Sequence, residues 1–340
     1  MKVPYRFRKS LLYRCLLLVK DRRIRRSIKK YFPDDAAARR KAVWGWLLVG
    51  LKANDFYRLQ CDLRPWKQIR EMVSYYECTL FYSAVNSKAA WKVLGEKYLS
   101  YLRFKDLYKR DVVQISEEDV LSGQADWKVR AFMESGHQKV VVKPKNSNKG
   151  RGVCVSGDPD EICSLLSVTQ GGVLEEQIVQ SPDLSAFNAS SVNTLRIHTM
   201  NYGDGEIEVL WPCLRMGHAG SFVDNAGAGG IFGAIDVTTG TIIGAADEKR
   251  HFFEEHPDSH KALIGFAIPQ WDDACSLART AAQKLPEAAF VGWDLALTGS
   301  GWVLVEGNHM PLVIWQIAAG TGIRKKFEEM ERRTVYKRRK

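Results

Sequence analysis

Asp294, Glu306 and Asn308 lie in VGWDLALTGSGWVLVEGN (291–308), two strand-like runs about a Gly-Ser-Gly turn. If Thr298 pairs with Trp302 across a three-residue loop, Asp294 falls opposite Glu306 on one face of the ladder. Asn308 shares that face, because side chains two apart on a strand point the same way. Two carboxylates and an amide oxygen then converge on a small patch. That set suits Mg²⁺, which takes one or two carboxylates and leaves other positions to substrate phosphates. A surface hairpin with scattered acids is the competing reading.

A second segment, KVVVKPK (139–145), is a β-branched strand carrying Lys143 and ending at Lys145. The loop NSNKGRG (146–152) follows, then a second strand, GVCVSG. Backbone N–H groups of such a strand–loop–strand unit can fold over phosphates, with Lys143 as a point charge. It is not a P-loop, since G-x-x-x-x-G-K-[ST] is absent, and no G-x-G-x-x-G opens a helix. An ordinary flexible hairpin competes with this reading. Next, GGVLEEQIVQ (171–180) bears Glu175 and Glu176 on an apolar strand.

Taken in order, these segments resemble the ATP-grasp superfamily, in particular its sugar-transfer-associated branch. The matching residues are Lys143 in VVVKPK, the glycine loop 146–152, LEEQI, NTLRIHT (193–199), DNAGAGGI (224–231), GWDLAL and VEGN. The resemblance spans roughly residues 80–322 and is only loose over the first 75 or so. It implies an α+β fold, two lobes clasping ATP, preceded by a basic, mainly helical N-terminal region. It implies that Lys143 contacts the α- or β-phosphate, with Lys145 beside it, and that Ser147, Gly150, Arg151 and Gly152 lie in a loop closing over the β/γ-phosphates. Either Glu175 or Glu176 would accept the ribose hydroxyls, since neighbouring strand residues point oppositely. Gln177 and Ile178 would follow the adenine edge. Arg196 and Arg215 would neutralise the γ-phosphate and a developing acyl phosphate, or else form structural ion pairs. Asn193, Asp224, Asn225, Gly229 and Gly230 would border an acceptor pocket.

The implied cofactors are ATP and Mg²⁺, two ions, with Mn²⁺ as a substitute. The implied reaction is carboxylate–amine ligation through an acyl phosphate. Carboxylate and amine substrates, sugar-linked ones among them, and polysaccharide-assembly proteins are the implied partners. A small-molecule kinase and a non-catalytic nucleotide-binding partner of a glycosyltransferase are the alternatives. Intact Lys143, Asp294, Glu306 and Asn308 argue against the latter.

The bulk composition is that of a globular chain: 340 residues, 45% hydrophobic. Seven scattered cysteines without C-x-x-C suit a reducing cytosol rather than a disulfide framework or zinc site. His256 and His260 have i,i+4 spacing, but Pro257 intervenes and no third ligand is evident. The net charge of +11 is concentrated in residues 1–30, which hold 12 Lys or Arg and one acid, Asp21. Leucines interleave them, in a run too short and interrupted to span a bilayer. Three readings of this arm stand: a packed amphipathic helix, an anchor on an anionic inner leaflet, and a nucleic-acid stripe. The last lacks any accompanying reading module.

Helical texture runs to Lys109 and strand texture follows. The expected divisions are a helical region 1–110, a lid 111–182, a metal-binding subdomain 183–322 and a basic tail 323–340. Asp158 reads as the N-cap of a lid helix, and residues 272–285 as a helix leading into the Asp294 hairpin.

Overall fold

Alternating apolar residues in the lid segment build a four-stranded sheet, ordered β1-β4-β2-β3, from β1 (Val112–Ile115), β2 (Val140–Pro144), β3 (Cys154–Ser156) and β4 (Gly172–Glu176). The structure, a computed structural model, describes residues 4–145, 152–218 and 229–335. Ile115, Val140, Val142 and Leu174 form the core of this sheet with Val129, Ile162 and Leu166 of helices Gln124–Glu134 and Pro159–Thr169. Asp158 caps the second of these helices, accepting from Asp160 N at 2.9 Å, and Pro159 begins it.

The larger sheet has six antiparallel strands, ordered β10-β9-β5-β6-β7-β8. They are β5 (Thr194–Asn201), β6 (Ile207–Met216), β7 (Ile231–Ile235), β8 (Ile242–Ala246), β9 (Phe290–Thr298) and β10 (Gly301–Asn308). Leu195, Ile197, Leu214, Trp293 and Leu295 point to one face, under helices Lys97–Tyr108 and Trp271–Gln283. Intervening residues point the other way, by the two-residue period of strands. There Cys213, Phe232 and Ala234 receive Ile28, Phe32, Phe56 and Ile69 of the N-terminal helices. The N-terminal region therefore supplies one layer of the main core.

Asp35 caps helix Ala36–Trp44, accepting from Ala38 N at 2.8 Å. The helix passes into a π-helical turn, Gly45–Val49, and stops at Gly50, whose φ of +84° suits a residue without Cβ. Residues 324–334, expected as part of a tail, form helix Arg324–Thr334. Phe327 and Met330, three apart, are buried with Phe81. Among the described residues no helix is long and apolar enough to cross a membrane.

Candidate functional site

The hairpin β9–β10 delivers the expected pair by a different route. Thr298 pairs with Gly301, so the turn has two residues, one fewer than expected. Continued unbroken, that register would place Glu306 on the face opposite Asp294, since one residue of slip flips every side chain. A β-bulge between Leu304 and Glu306 restores the phase, and Glu306 pairs with Asp294. On the far side of β9, Asp294 pairs with Arg196 of β5. Arg196, Asp294 and Glu306 thus form one row across three strands.

Asp294 is buried. Arg196 Nε and Nη2 both donate to its carboxylate, the latter at 2.6 Å, and Arg215 Nη1 adds a bond of 2.9 Å. Gly292 makes room for this: a Cβ there would lie 2.6 Å from Pro311 Cβ and 3.2 Å from Arg196 Cδ. Burial would raise the Asp294 carboxyl, but the two guanidiniums outweigh it and hold the pKa at about 2. Glu306 behaves oppositely. Its residue is open to solvent, yet desolvation of the carboxyl, with the Asp294 charge opposite, raises its pKa against the pull of Lys143 and the arginines. Asn308 Nδ2 lies 3.2 Å from Glu306 Oε1 and 3.3 Å from Asp294 Oδ2. Turning that amide over presents Oδ1 as a third oxygen. Two carboxylates and an amide oxygen fit a hard divalent cation such as Mg²⁺.

The lid contributes a matching cluster. Glu175 is buried on β4, 2.7 Å from Lys143 Nζ and 2.7 Å from Arg110 Nη2. Burial would raise this carboxyl too, and the two cations bring it below its ordinary value. Arg110 also donates to Leu304 O at 2.6 Å and Val305 O at 3.3 Å, carbonyls at the β10 bulge. One guanidinium therefore pins the lid sheet to the β9–β10 hairpin.

Glu176 points away from Glu175: its Oε2 accepts from Asp111 N at 3.2 Å and lies 4.0 Å from His137 Nε2. The structure thus separates the two glutamates and places Glu175 on the Lys143 side. Lys145 pairs with Glu117 at 3.2 Å instead of with this cluster. Gln177 is exposed and Ile178 half-buried just past β4. Asn193, expected at the acceptor pocket, is fully buried, and its side chain is consumed by the fold. Its Nδ2 lies 3.0 Å from Gln180 Oε1, 2.9 Å from Leu184 O and 2.9 Å from Asn188 O, and its Oδ1 accepts from Gly217 N at 3.3 Å. Such an amide latches the segment leading into β5. Gly229 and Gly230 directly precede β7, and Gly152 has a φ of +72°. Ser147, Gly150, Arg151, Asp224 and Asn225 lie outside the described residues.

A family model described as sugar-transfer associated ATP-grasp matches residues 160–332, half of the chain. The chain belongs to this family. The ATP-grasp match takes in Glu175, Arg196, Arg215, Asp294, Glu306 and Asn308, and leaves Lys143 and the glycine loop outside it. Among solved structures, the chain is similar to a D-alanine–D-alanine ligase from Bacillus anthracis (13% identity, 74% of this chain and 71% of that one, TM-score 0.47). It is also similar to D-alanyl-alanine synthetase A from Vibrio cholerae (13% identity, 72% of this chain and 62% of that one, TM-score 0.43). A third is the ATP-grasp ligase PsnB with minimal precursor, Mg and ADP (12% identity, 77% and 67%, TM-score 0.45). These likenesses are of fold alone. No curated protein matches the chain.

Two residues of this ATP-grasp cluster escape sequence reasoning. Arg110 reads as one more cation in the run KRD, and only the topology brings it to β4 and β10. Lys97 begins helix Lys97–Tyr108 and donates to Pro144 O at 3.2 Å. Burial, then Lys143, lowers its pKa against the pull of Glu306 and Glu175. Its only sequence signal is a lysine opening a helix just before the lid.

Proposed function

We propose that the protein is an ATP- and Mg²⁺-dependent carboxylate–amine ligase. The observation that carries this reading is the row Arg196–Asp294–Glu306, with Asn308 beside it, facing the Lys143–Glu175–Arg110 cluster that Arg110 ties to β10. Family membership supports the same reading. Mg²⁺, held by Asp294, Glu306 and Asn308 when bound, would offset phosphate charge during transfer.

The chain's own residues supply position and field. Lys143 offers a charge to the polyphosphate once the nucleotide competes with Glu175 for its ammonium. Arg196 and Arg215 stand where negative charge accumulates at the γ-phosphate, already oriented by Asp294, so little reorganisation accompanies the reaction. A substrate carboxylate oxygen attacks the γ-phosphorus and ADP leaves, giving an acyl phosphate. An amine nitrogen then attacks the acyl carbon, inorganic phosphate leaves, and the nitrogen gives up a proton. No covalent protein nucleophile takes part. The family description favours an acceptor on a sugar or polysaccharide precursor.

The experiment is a screen of amino acids, sugar acids and amino sugars for substrate-stimulated release of ADP and phosphate, with product mass read in parallel. Amide product with free phosphate is the expected outcome. A phosphorylated product without free phosphate would make the protein a kinase, and nucleotide binding with no turnover across the screen would favour a non-catalytic partner.

A further inference from the structure

Helix Leu11–Lys20 is amphipathic with its polarity inverted. Its arginine, Arg14, is 6% exposed and donates to Leu47 O at 3.0 Å, while its own carbonyl accepts from Trp46 Nε1 at 3.0 Å. Leu11, Leu12, Leu16 and Val19 are instead 52%, 60%, 42% and 70% exposed. At 3.6 residues per turn these four fall within one arc of the helix, with exposed Lys20 at its margin. A helix meeting only water on its outer side shows the opposite distribution.

The next helix, Arg22–Tyr31, brings charge to the end of that arc. Arg22, Arg23, Arg25, Arg26, Lys29 and Lys30 are all exposed, while Ile28 is buried in the main core. Arg25 Nη1 donates to Leu18 O at 3.0 Å and Val19 O at 3.1 Å, fixing the basic helix at the end of the apolar row. Asp21, the one acid of residues 1–30, is taken up by Arg23. The pair is firmly attached to the body: besides the Arg14 contacts, Lys9 Nζ lies 2.7 Å from Glu331. The packed-helix and anchor readings of this arm are therefore compatible, one describing its inner face and the other its outer.

We propose that this outer face docks on an anionic lipid bilayer. Leu11, Leu12, Leu16 and Val19 enter the boundary between headgroups and acyl chains, and the cations of Arg22–Tyr31 meet the lipid phosphates. Charge complementarity selects this occupant over an apolar protein surface, which would leave Arg22, Arg26, Lys29 and Lys30 unanswered. A helix of ten residues spans ~15 Å against a hydrocarbon core of ~30 Å, so the face lies on the membrane without crossing it. Apolar insertion and charge attraction are each marginal alone and act together. The inference does not depend on the reaction proposed above.

The test is flotation of the full chain with vesicles of phosphatidylcholine, and of phosphatidylcholine mixed with phosphatidylglycerol. The chain is expected to float with the anionic vesicles only, and to be released at high salt as the Debye length falls from ~10 Å at 0.1 M to ~3 Å at 1 M. Leu12→Glu with Val19→Glu should lower partitioning at least about tenfold while thermal unfolding stays unchanged, because these side chains project outward. Arg22→Gln, Arg26→Gln, Lys29→Gln and Lys30→Gln together should lower it about tenfold or more with the apolar face intact. Equal flotation on neutral vesicles, no flotation, or flotation indifferent to both variants would overturn the proposal. So would self-association, or DNA binding, that uses this face while vesicles are ignored.

Discussion

The lid and the large sheet each hold a buried carboxylate between two cations, Glu175 between Lys143 and Arg110, Asp294 between Arg196 and Arg215. The clusters are built differently. Arg196, Arg215 and Asp294 come from neighbouring strands of one sheet, so register alone brings them together. The Glu175 cluster joins two strands of the lid to Arg110, which precedes β1, and through it reaches β10. Glu306 feels both Asp294 and Lys143 and has its pKa raised, where Asp294 and Glu175 are held low. Asp294 and Glu175 thus orient cations, Asp294 in addition to its place beside Glu306 and Asn308 in the proposed metal site. Glu306 keeps its binding capacity for something that arrives.

The largest expected effect separates framework from working group. Asp294→Asn should lose ~10² or more in turnover and also about 3 kcal/mol of stability, because two buried guanidiniums lose their common counter-charge. Assay and urea unfolding measured together check this. Intact stability would mean that the arginines find other partners and that the framework reading fails.

Glu306→Gln should show the kinetic loss alone, again ~10² in turnover, with stability unchanged or slightly improved, since a carboxylate facing Asp294 is neutralised. Destabilisation equal to that of Asp294→Asn would erase the distinction. Near-normal turnover would show that the hairpin does not hold the metal.

A smaller effect should follow at the lid. Lys143→Ala should weaken Mg–ATP binding by roughly tenfold in calorimetry, the scale of one charge-assisted contact in a partly solvated cleft. Glu175 keeps Arg110, so the lid stays pinned to β10 and the protein folded. Unchanged nucleotide affinity would remove Lys143 from the site.

The legibility of these clusters in the sequence follows from how they are built. The pairing of Asp294 with Glu306 could be read because strand periodicity links residues a dozen positions apart. The expected route used a three-residue turn, whereas the chain uses a shorter turn and a bulge at Val305, with the same final phase. A bulge carries no residue signature as strong as a turn's, so it stayed hidden. The choice between Glu175 and Glu176 was beyond period-two reasoning, which says they diverge but not which one faces the cleft. Arg110 and Asn193 show what one dimension does not carry. Arg110 acts through elements up to 195 residues away, and Asn193 sits in a motif yet spends every hydrogen bond on the fold. The N-terminal arm was legible as basic and leucine-rich, but its inversion depends on which side Arg14 faces, and tertiary packing decides that.

The smallest effect is a pH dependence that distinguishes Glu306 from Asp294. Mg²⁺ must displace any proton that Glu306 carries, so Mg–ATP affinity should fall as pH is lowered through the raised pKa of Glu306. Asp294, held at about 2, stays ionised throughout that window and adds nothing to the slope. The limiting change is tenfold per pH unit for one coupled proton, and less across a partial titration. Stability follows the opposite sign at the two positions. Glu306 binds its proton more tightly folded than unfolded, so its contribution is full below the unfolded pKa and is lost as pH rises through the folded one. Asp294 binds its proton more weakly when folded, so its contribution is present above the ordinary carboxylate range and is lost as pH falls toward 2. Calorimetric titration of Mg–ATP into wild type and Glu306→Gln at matched ionic strength between pH 5 and 8, the window near neutrality where proteins are most stable, resolves the two roles. The variant should bind more weakly but without the acid-side fall. If both proteins show the same slope, the proton is displaced from another group, and Glu306 is not the carboxylate that the metal deprotonates.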